Sequence, residues 1–294
     1  MARLAPLLLG AAVTAVTAVT AVAAGAQQPP PTPRVVTVTA TAVGLEAPAE
    51  VPAGPVTIVL VNRARSVVEA QLLAVQGGHT PDEAVRLLQG GAPRPDWLAA
   101  AGGVGPLAPG LGAAVTQTLP PGEYLVLSML PDSTRLPQYR RGYLTVLQAT
   151  GRADVAARVD GAVAELAVGT SFRFQRVQTL GGRRVILSGR QRSAPIAPGD
   201  HAIEITYGPL ATHQVALVRV DSALILRRYA DWLAGGQRGP APGRAWGGVA
   251  LTPPGRQLWL RARLESGTYW LICTAAHGGR RGFEIGEYAQ FVVR

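Results

Sequence analysis

The strongest constraint on the fold is an internal repeat, because shifting the chain by 145 positions superposes its landmark residues without a gap. Gly54 falls on Gly199, since 199 − 54 = 145, and several of the matched glycines stand at turn-like positions, where backbone geometry selects the residue. The further coincidences include Leu72 with Leu217, Val75 with Val220, Gly102-Gly103-Val104 with Gly247-Gly248-Val249, Leu119 with Leu264, and Tyr124 with Tyr269. The repeat predicts two copies of one domain, residues 35–148 and 153–294.

The composition narrows the class of protein. Of the 294 residues, 48% are hydrophobic and 16% are charged, which excludes a chain that is disordered throughout. The single Cys excludes an internal disulfide and any metal cluster that several cysteines would hold. The net charge of +10 favours an acidic partner. However, no stretch of the sequence combines arginines with stacking aromatics, so we predict no nucleic-acid partner.

The N-terminus has the pattern of an export signal. A mainly apolar run extends from Leu4 to Ala24, and Ala24-Gly25-Ala26 fits the rule of small residues around a cleavage site. We therefore predict a signal peptide over residues 1–26, a Pro-rich leader over 27–34, and a protein that is exported to the periplasm or secreted. Without cleavage, the apolar run is long enough to anchor the protein in a membrane. With cleavage, we expect no integral membrane domain.

The pattern within each copy predicts mostly strands. The run Val35–Val43 alternates and is rich in β-branched residues, and Val56–Asn62 follows a Pro-Ala-Gly turn as a second strand. Pro81–Leu88 has helical spacing after Thr80, which can cap it, and its counterpart is Ile225–Leu233. The other strands of the first copy are Glu69–Val75, Ala113–Leu119, Gly122–Met129 and Tyr143–Gln148. Short strands separated by Gly and Pro turns, with one short helix in each copy, predict an all-β sandwich.

The residues that could carry chemistry are concentrated in the second copy. His213 opens one strand, and the later strand Gly267–Cys273 ends in the only Cys, with three residues between it and His277. An unpaired Cys in an exported protein is exposed to oxidation, which favours a metal-binding or a deeply buried role. A Cys at the end of a strand is also commonly a small buried hydrophobe. Both interpretations stay open at this point.

This pattern resembles the cupredoxins, the plastocyanin-like copper proteins. The shared features are a His-bearing loop before one strand and a late Gly-x-Tyr-x-x-x-Cys segment, followed by a His, before the final strand Ala289–Val293. The resemblance implies two tandem cupredoxin-like Greek-key β-sandwiches, each with a short helical insertion. It also implies a copper ion held by His213, Cys273 and His277. A thiolate with two imidazoles suits copper, and a weak axial ligand tunes its reduction potential.

The sequence departs from the family at the axial ligand. The family places a Met shortly before the last strand, whereas the two methionines of this chain are Met1 and Met129. Glu287, or alternatively Glu284, stands near that position. A carboxylate oxygen there would be a harder ligand and should lower the reduction potential. The alternative is a degenerate site that holds no metal.

The first copy lacks the same donors. The 145-residue shift places Val68 on His213 and Ser128 on Cys273, and no His follows Ser128 before Tyr143. We therefore expect domain 1 to carry no metal ligands and to serve as a scaffold or interaction module.

These observations predict a protein that is not an enzyme. No Asn or Asp stands out to orient a base beside Cys273, and the sequence has neither a nucleophile elbow nor a phosphate loop. We expect an exported copper-binding protein for electron transfer or copper handling, with an acidic redox or envelope protein as partner. The alternative is a metal-free envelope or binding scaffold with a degenerate copper site.

Overall fold

A computed structural model describes residues 33–152, 165–168, 172–179, 184–185, 196–207, 212–220 and 226–294. Of these, only the backbone is described for the strands between 165 and 185, for residues 206–207 and for His277. The predicted signal peptide, residues 1–26, and all but the end of the predicted leader lie outside the described residues.

The first half of the chain consists of short strands with one α-helix. The strands are β1 (Arg34–Ala40), β2 (Leu45–Glu46), β3 (Glu50–Pro52), β4 (Gly54–Asn62), β5 (Val68–Val75), β6 (Leu98–Leu107), β7 (Gly112–Leu119), β8 (Gly122–Leu127) and β9 (Leu144–Thr150). Helix α1 (Pro81–Gln89) lies between β5 and β6, and a 3-10 turn (Gln138–Arg141) precedes β9.

The second half also begins with three described strands and then follows the same order of strands and helix, with a two-stranded hairpin added before its last strand. Its described strands are β10 (Glu165–Val168), β11 (Phe172–Thr179), β12 (Arg184–Val185), β13 (Gly199–Tyr207), β14 (His213–Val220), β15 (Arg244–Thr252), β16 (Gln257–Leu264), β17 (Gly267–Cys273), β18 (Ala276–His277), β19 (Arg280–Arg281) and β20 (Tyr288–Val293). Helix α2 (Leu226–Ala234) lies between β14 and β15, and a 3-10 turn (Gly282–Ile285) precedes β20.

The strands form two large sheets that share one apolar core, and each sheet contains strands of both halves. One nine-stranded sheet has the order β12-β11-β10-β13-β16-β7-β4-β1-β2, and the other has the order β20-β17-β14-β15-β6-β5-β8-β9-β3. The core includes side chains from both halves, such as Ile58, Val115, Leu217 and Leu260. The predicted all-β sandwich class, with one short helix in each half, is confirmed.

A seam of two antiparallel strand pairs joins the halves, with β6 beside β15 in one sheet and β7 beside β16 in the other. Val104 lies opposite Val249, and Val115 lies opposite Leu260. Both pairs are 145 positions apart, since 249 − 104 and 260 − 115 each give 145. At one point in each strand pair, residues that the repeat relates therefore face each other, as a local two-fold axis through the seam requires. The domain boundaries themselves stay a prediction.

Two glycines in the seam strands let the neighbouring strands β5 and β14 lie close to them. Gly103 in β6 and Gly248 in β15 have φ angles of 111° and 144°. A Cβ at Gly103 would collide with the Ala70 carbonyl, and one at Gly248 would collide with the Val215 carbonyl. The strand register shifts beside both glycines, as in a β-bulge. Both glycines lie inside strands, where a bulge requires the same positive φ as a turn.

The two helices begin and end close to the predicted residues. Thr80 caps α1 as predicted, since its hydroxyl accepts the Glu83 N–H at 3.2 Å. Ala84 and Leu88 bury one face of this helix against the sheet. Within the described ranges, no helix combines the length and the apolarity that a membrane crossing requires.

A buried carboxyl group bridges the two halves across the seam. Glu69 of β5 is 2% exposed and accepts the Met129 N–H at 3.1 Å and the Gln214 side-chain N–H at 2.9 Å. Desolvation raises the pKa of Glu69 from its ordinary value of 4.5 to about 7, although both hydrogen bonds act to lower it. The folded protein therefore holds a carboxyl group that ionises near neutral pH.

Replacing Glu69 by Gln should change how stability depends on pH. The folded protein holds the Glu69 proton more tightly than the unfolded chain does, so ionisation of this group destabilises the fold as the pH rises. Between about pH 5 and pH 8, the free energy of unfolding of the wild type should fall by about 3 kcal/mol relative to that of Glu69→Gln. Urea unfolding of both proteins at a series of pH values measures this difference.

The matched control for this measurement is Glu123→Gln, because Glu123 is an exposed carboxylate of the same half. The free energy of unfolding of Glu123→Gln should depend on pH in the same way as that of the wild type. Parallel profiles for Glu69→Gln and the wild type would contradict the assignment of a raised pKa to Glu69.

Candidate metal centre

Three chain segments meet at one end of the second half. His213 begins β14, Cys273 ends β17, and these strands pair so that Val215 lies opposite Cys273. Glu287 directly precedes β20, which pairs with the other edge of β17. The Cys273 N–H donates to the Glu287 carbonyl at 2.9 Å, which continues this pairing beyond the end of the strand. Sheet register alone therefore brings the three residues to the same end of the sandwich.

The side chains of these residues converge and are buried together; we call them the His-Cys-Glu site. His213 Nδ1 lies 3.7 Å from Cys273 Sγ and 3.5 Å from Glu287 Oε2. All three candidate ligand atoms lie within 4.8 Å of one another. The side chains of His213 and Glu287 are 3% and 5% exposed, and Cys273 is fully buried. In the described part of the chain, no other group of three His, Cys, Asp or Glu side chains has this spacing.

The surroundings of Cys273 favour the neutral thiol when no cation is bound. Burial raises the pKa of the Cys273 thiol, and the hydrogen bond and negative charge of Glu287 raise it further. Hydrogen bonds from the backbone of Gln214 and Ala275 act in the opposite direction and lower this pKa. A bound metal ion would reverse the balance, because its charge displaces the proton of a coordinating thiol. The backbone N–H groups would then remain as donors to the sulfur.

A glycine completes the wall of the site. A Cβ at Gly282 would collide with the Glu287 carboxylate and lie 2.6 Å from Cys273 Sγ. The backbone of Gly282 holds the loop together, since its N–H donates to the Ala275 carbonyl and its carbonyl accepts the Glu287 N–H, both at 2.9 Å. Because of this close approach, position 282 has no room for a side chain.

The two arginines of this loop point away from the site. Arg281 donates to the Asp231 carboxylate on α2 at 2.9 Å, and Arg280 donates to the Glu284 carbonyl at 2.8 Å. Their positive charges therefore lie at the surface and do not compete with a bound cation.

The structure brings together three of the four predicted site residues: His213, Cys273 and Glu287. The fourth, His277, lies in β18 opposite Arg280, and its side chain is outside what the structure describes. Glu284, the alternative to Glu287, is exposed and its carboxylate accepts the Arg281 N–H at 2.9 Å. Of the two carboxylates considered for the axial position, Glu287 is the one that faces the thiol.

Two contributors to the site were missed by the sequence analysis. Gly282 was missed because a glycine in a Gly- and Arg-rich loop does not reveal which side chains it will pack against. Gln214 carries no sequence signal, because its role depends on its backbone and on the partner strand rather than on its side-chain type.

The corresponding end of the first half is filled by a neutral hydrogen-bond network. Ser128, at the position of Cys273, donates to the Gln138 side-chain oxygen at 2.6 Å. The Gln138 amide in turn donates to the Val67 carbonyl at 2.9 Å. Val68, at the position of His213, is fully buried. The described side chains at this end therefore offer no thiolate or imidazole to a metal.

No protein-family model matches the chain, and no curated protein matches it significantly. Among solved structures, auracyanin B is 15% identical with a TM-score of 0.32, and the match covers 45% of this chain and 88% of auracyanin B. The dithionite-reduced auracyanin of Roseiflexus castenholzii is 21% identical with a TM-score of 0.27, covering 42% of this chain and all of that one. The copper-containing nitrite reductase of Thermus scotoductus SA-01 is 11% identical with a TM-score of 0.25, covering 88% of this chain and 61% of that one.

At these low TM-scores, none of the site residues is assigned from the matched proteins. The described strands form a two-sheet β-sandwich with the His-Cys-Glu site at one end, and the resemblance of the sequence to cupredoxins stays a prediction.

Replacing Gly282 by Ala should destabilise the protein. The new methyl group would push against the Cys273 sulfur and the Glu287 carboxylate in a packed interior, which costs roughly 1–3 kcal/mol. Urea unfolding measures the loss. The matched control is Gly112→Ala, since a Cβ at Gly112 would meet only the Leu60 carbonyl, at 3.9 Å. Equal effects of the two substitutions would contradict the close packing of Gly282 against the site.

Proposed function

We propose that the second half of the chain binds one copper ion through His213, Cys273 and Glu287, with His277 as the further imidazole that the resemblance implies. The observation that carries this proposal is the convergence of a buried imidazole, a buried thiol and a buried carboxylate within 4.8 Å. A shared cation would favour the thiolate and the carboxylate in this buried site.

The chemistry of the donors supports copper as the metal. Thiolate and imidazole ligands together suit copper, and a bound copper ion would supply one-electron exchange between Cu(I) and Cu(II). His213 and Cys273 sit on paired strands, so the sheet limits how far their donor atoms can move apart. The hard oxygen of Glu287 should favour Cu(II) over Cu(I) and so lower the reduction potential.

The burial of the site supports electron transfer over a reaction on a bound substrate. The three donor side chains are at most 5% exposed, which leaves little room for a substrate to reach a metal from solvent through these residues. An electron, unlike a substrate, does not need an open path to the ion. Storage or delivery of copper is compatible with the same ligands, and we keep it within the proposal.

A second candidate function is a metal-free scaffold, and one observation favours it. The Cys273 thiol is held in its neutral form and hydrogen-bonds with Glu287, so the site can satisfy part of its polar groups without a metal. In that case the protein would act as an envelope or binding module, and the site would be degenerate.

We further propose that the protein is exported and that its partner is acidic. The proposed export depends on the signal-peptide pattern of residues 1–26. The net charge of +10, together with exposed arginines near the site such as Arg227 and Arg280, supports docking of an acidic redox or envelope protein.

Adding one equivalent of Cu(II) to the purified protein should produce a visible absorption band from thiolate-to-copper charge transfer. Cys273→Ser should abolish this band, because it removes the thiolate. Ser128→Ala, the matched change at the equivalent position of the first half, should keep the band. A protein that takes up no copper at this ratio, or that holds zinc in preference as judged by metal analysis, would contradict the copper proposal.

Replacing Glu287 by Met should raise the reduction potential of the copper-loaded protein. A soft thioether in place of a carboxylate favours Cu(I), and we expect a rise of about 60 mV or more, which is tenfold in the relative affinity for the two oxidation states. Glu284→Met is the matched control and should leave the potential unchanged, because this side chain faces solvent. A shift of equal size in both variants would rule out Glu287 as a ligand.

A further inference from the structure

A line of hydrogen bonds runs from the first half of the chain to the sulfur of the His-Cys-Glu site. It begins at Glu69 in β5, whose carboxylate accepts the side-chain N–H of Gln214 across the seam at 2.9 Å. Gln214 lies in β14, directly after His213. The two residues occupy equivalent positions of the repeat, since 214 − 69 = 145. The seam therefore places a carboxylate of one half opposite an amide of the other.

Gln214 contacts the site through its backbone. Its N–H donates to the Cys273 sulfur, and its carbonyl accepts the Thr274 N–H at 3.1 Å. A donor to the sulfur of a metal-bound thiolate changes the electron density on that sulfur and thereby tunes the metal. Gln214 thus contacts Glu69 through its side chain and Cys273 through its backbone.

We propose that Glu69, in the first half of the chain, is a positioning residue for the metal centre of the second half and that it acts through Gln214. This inference rests on the proposed copper function and deepens it. The first half, whose own end offers no thiolate or imidazole among its described side chains, then influences the centre in the other half.

The protonation state of Glu69 determines how Gln214 is held. Both carboxylate oxygens accept N–H groups, one from Met129 and one from Gln214, which is the arrangement of the ionised form. Hydrogen bonds to a carboxylate are stronger than those to a neutral acid. When Glu69 gains a proton, the hydrogen bond from the Gln214 side chain weakens. The protonated oxygen of Glu69 then becomes a donor that needs an acceptor.

Tyr229 of α2 interacts electrostatically with Glu69. Its hydroxyl is buried and has no hydrogen-bond partner among the described residues. Burial raises the pKa of Tyr229, and the charge of Glu69 raises it further, so the two groups interact. Glu69 itself titrates with a pKa of about 7. Three further titratable groups, His213, Cys273 and Glu287, lie beyond Gln214.

The first arm of the test uses the full chain without metal. Nuclear magnetic resonance follows the Glu69 carboxyl carbon, the Gln214 side-chain amide and the Cys273 backbone N–H as the pH is raised from about 5 to about 9. In the wild type, we expect the chemical shifts of all three signals to change over the same pH range. In Glu69→Gln, the Gln214 and Cys273 signals should no longer show this change. They should still show it in Glu123→Gln, because Glu123 is an exposed carboxylate of the same half.

A second variant separates the hydrogen-bonded route from an effect through space. Gln214→Met keeps the approximate size of the side chain and removes its donor to Glu69. The Glu69 carboxyl carbon should still titrate in this variant, but the Cys273 signal should no longer follow it. A Cys273 signal that titrates alike in the wild type, Glu69→Gln and Gln214→Met would overturn the proposal.

The second arm uses the copper-loaded protein. As the pH rises and Glu69 ionises, the affinity for Cu(II) relative to Cu(I) should increase several-fold in the wild type and in Glu123→Gln. This increase should be absent from Glu69→Gln and reduced in Gln214→Met. An unchanged pH dependence in Glu69→Gln would count against the proposal. If the chain takes up no copper, the proposed function fails, yet the metal-free arm still decides whether Glu69 is coupled to Cys273.

Discussion

The antiparallel pairing of β6 with β15 and of β7 with β16 is the interaction on which the rest of the structure depends. It makes each sheet continuous across both halves, so that neither half has to cover a free sheet edge at this place. It also merges the apolar residues of both halves into one core. Gly103 and Gly248 let the seam strands lie close to β5 and β14, because a side chain at either position would collide with a carbonyl group of that neighbouring strand.

The seam also determines the surroundings of the His-Cys-Glu site. β14, which begins at His213, pairs with the seam strand β15 on one side and with the Cys273 strand β17 on the other. The two donors therefore belong to the continuous sheet and not to a free edge. At the equivalent end of the first half, Gln237 from the second half bonds both the N–H and the carbonyl of Val67, so each half contributes to the end of the other.

Two of the described carboxyl groups lie in the interior of the protein, one in each half. Glu69 and Glu287 are 2% and 4% exposed, and burial of an ionisable group is unfavourable unless the folded state compensates for it. Glu69 is compensated by two hydrogen-bond donors and by a pKa near neutrality. Glu287 lies beside His213 and Cys273, and its burial is the feature that a purely structural role would explain least well.

The sequence by itself predicted the repeat, the all-β class and the two helices from periodicity and turn residues, and its resemblance to cupredoxins singled out His213 and Cys273 as candidate ligands. It did not predict β6 and β15, because their glycines indicate turns when read without the neighbouring strand. Only the tertiary structure decided between Glu287 and Glu284, packed Gly282 against the sulfur, and joined Glu69 to Gln214. Local sequence patterns fix backbone conformation, whereas the meeting of side chains depends on sheet register and loop path, which are set by contacts between residues far apart in the chain.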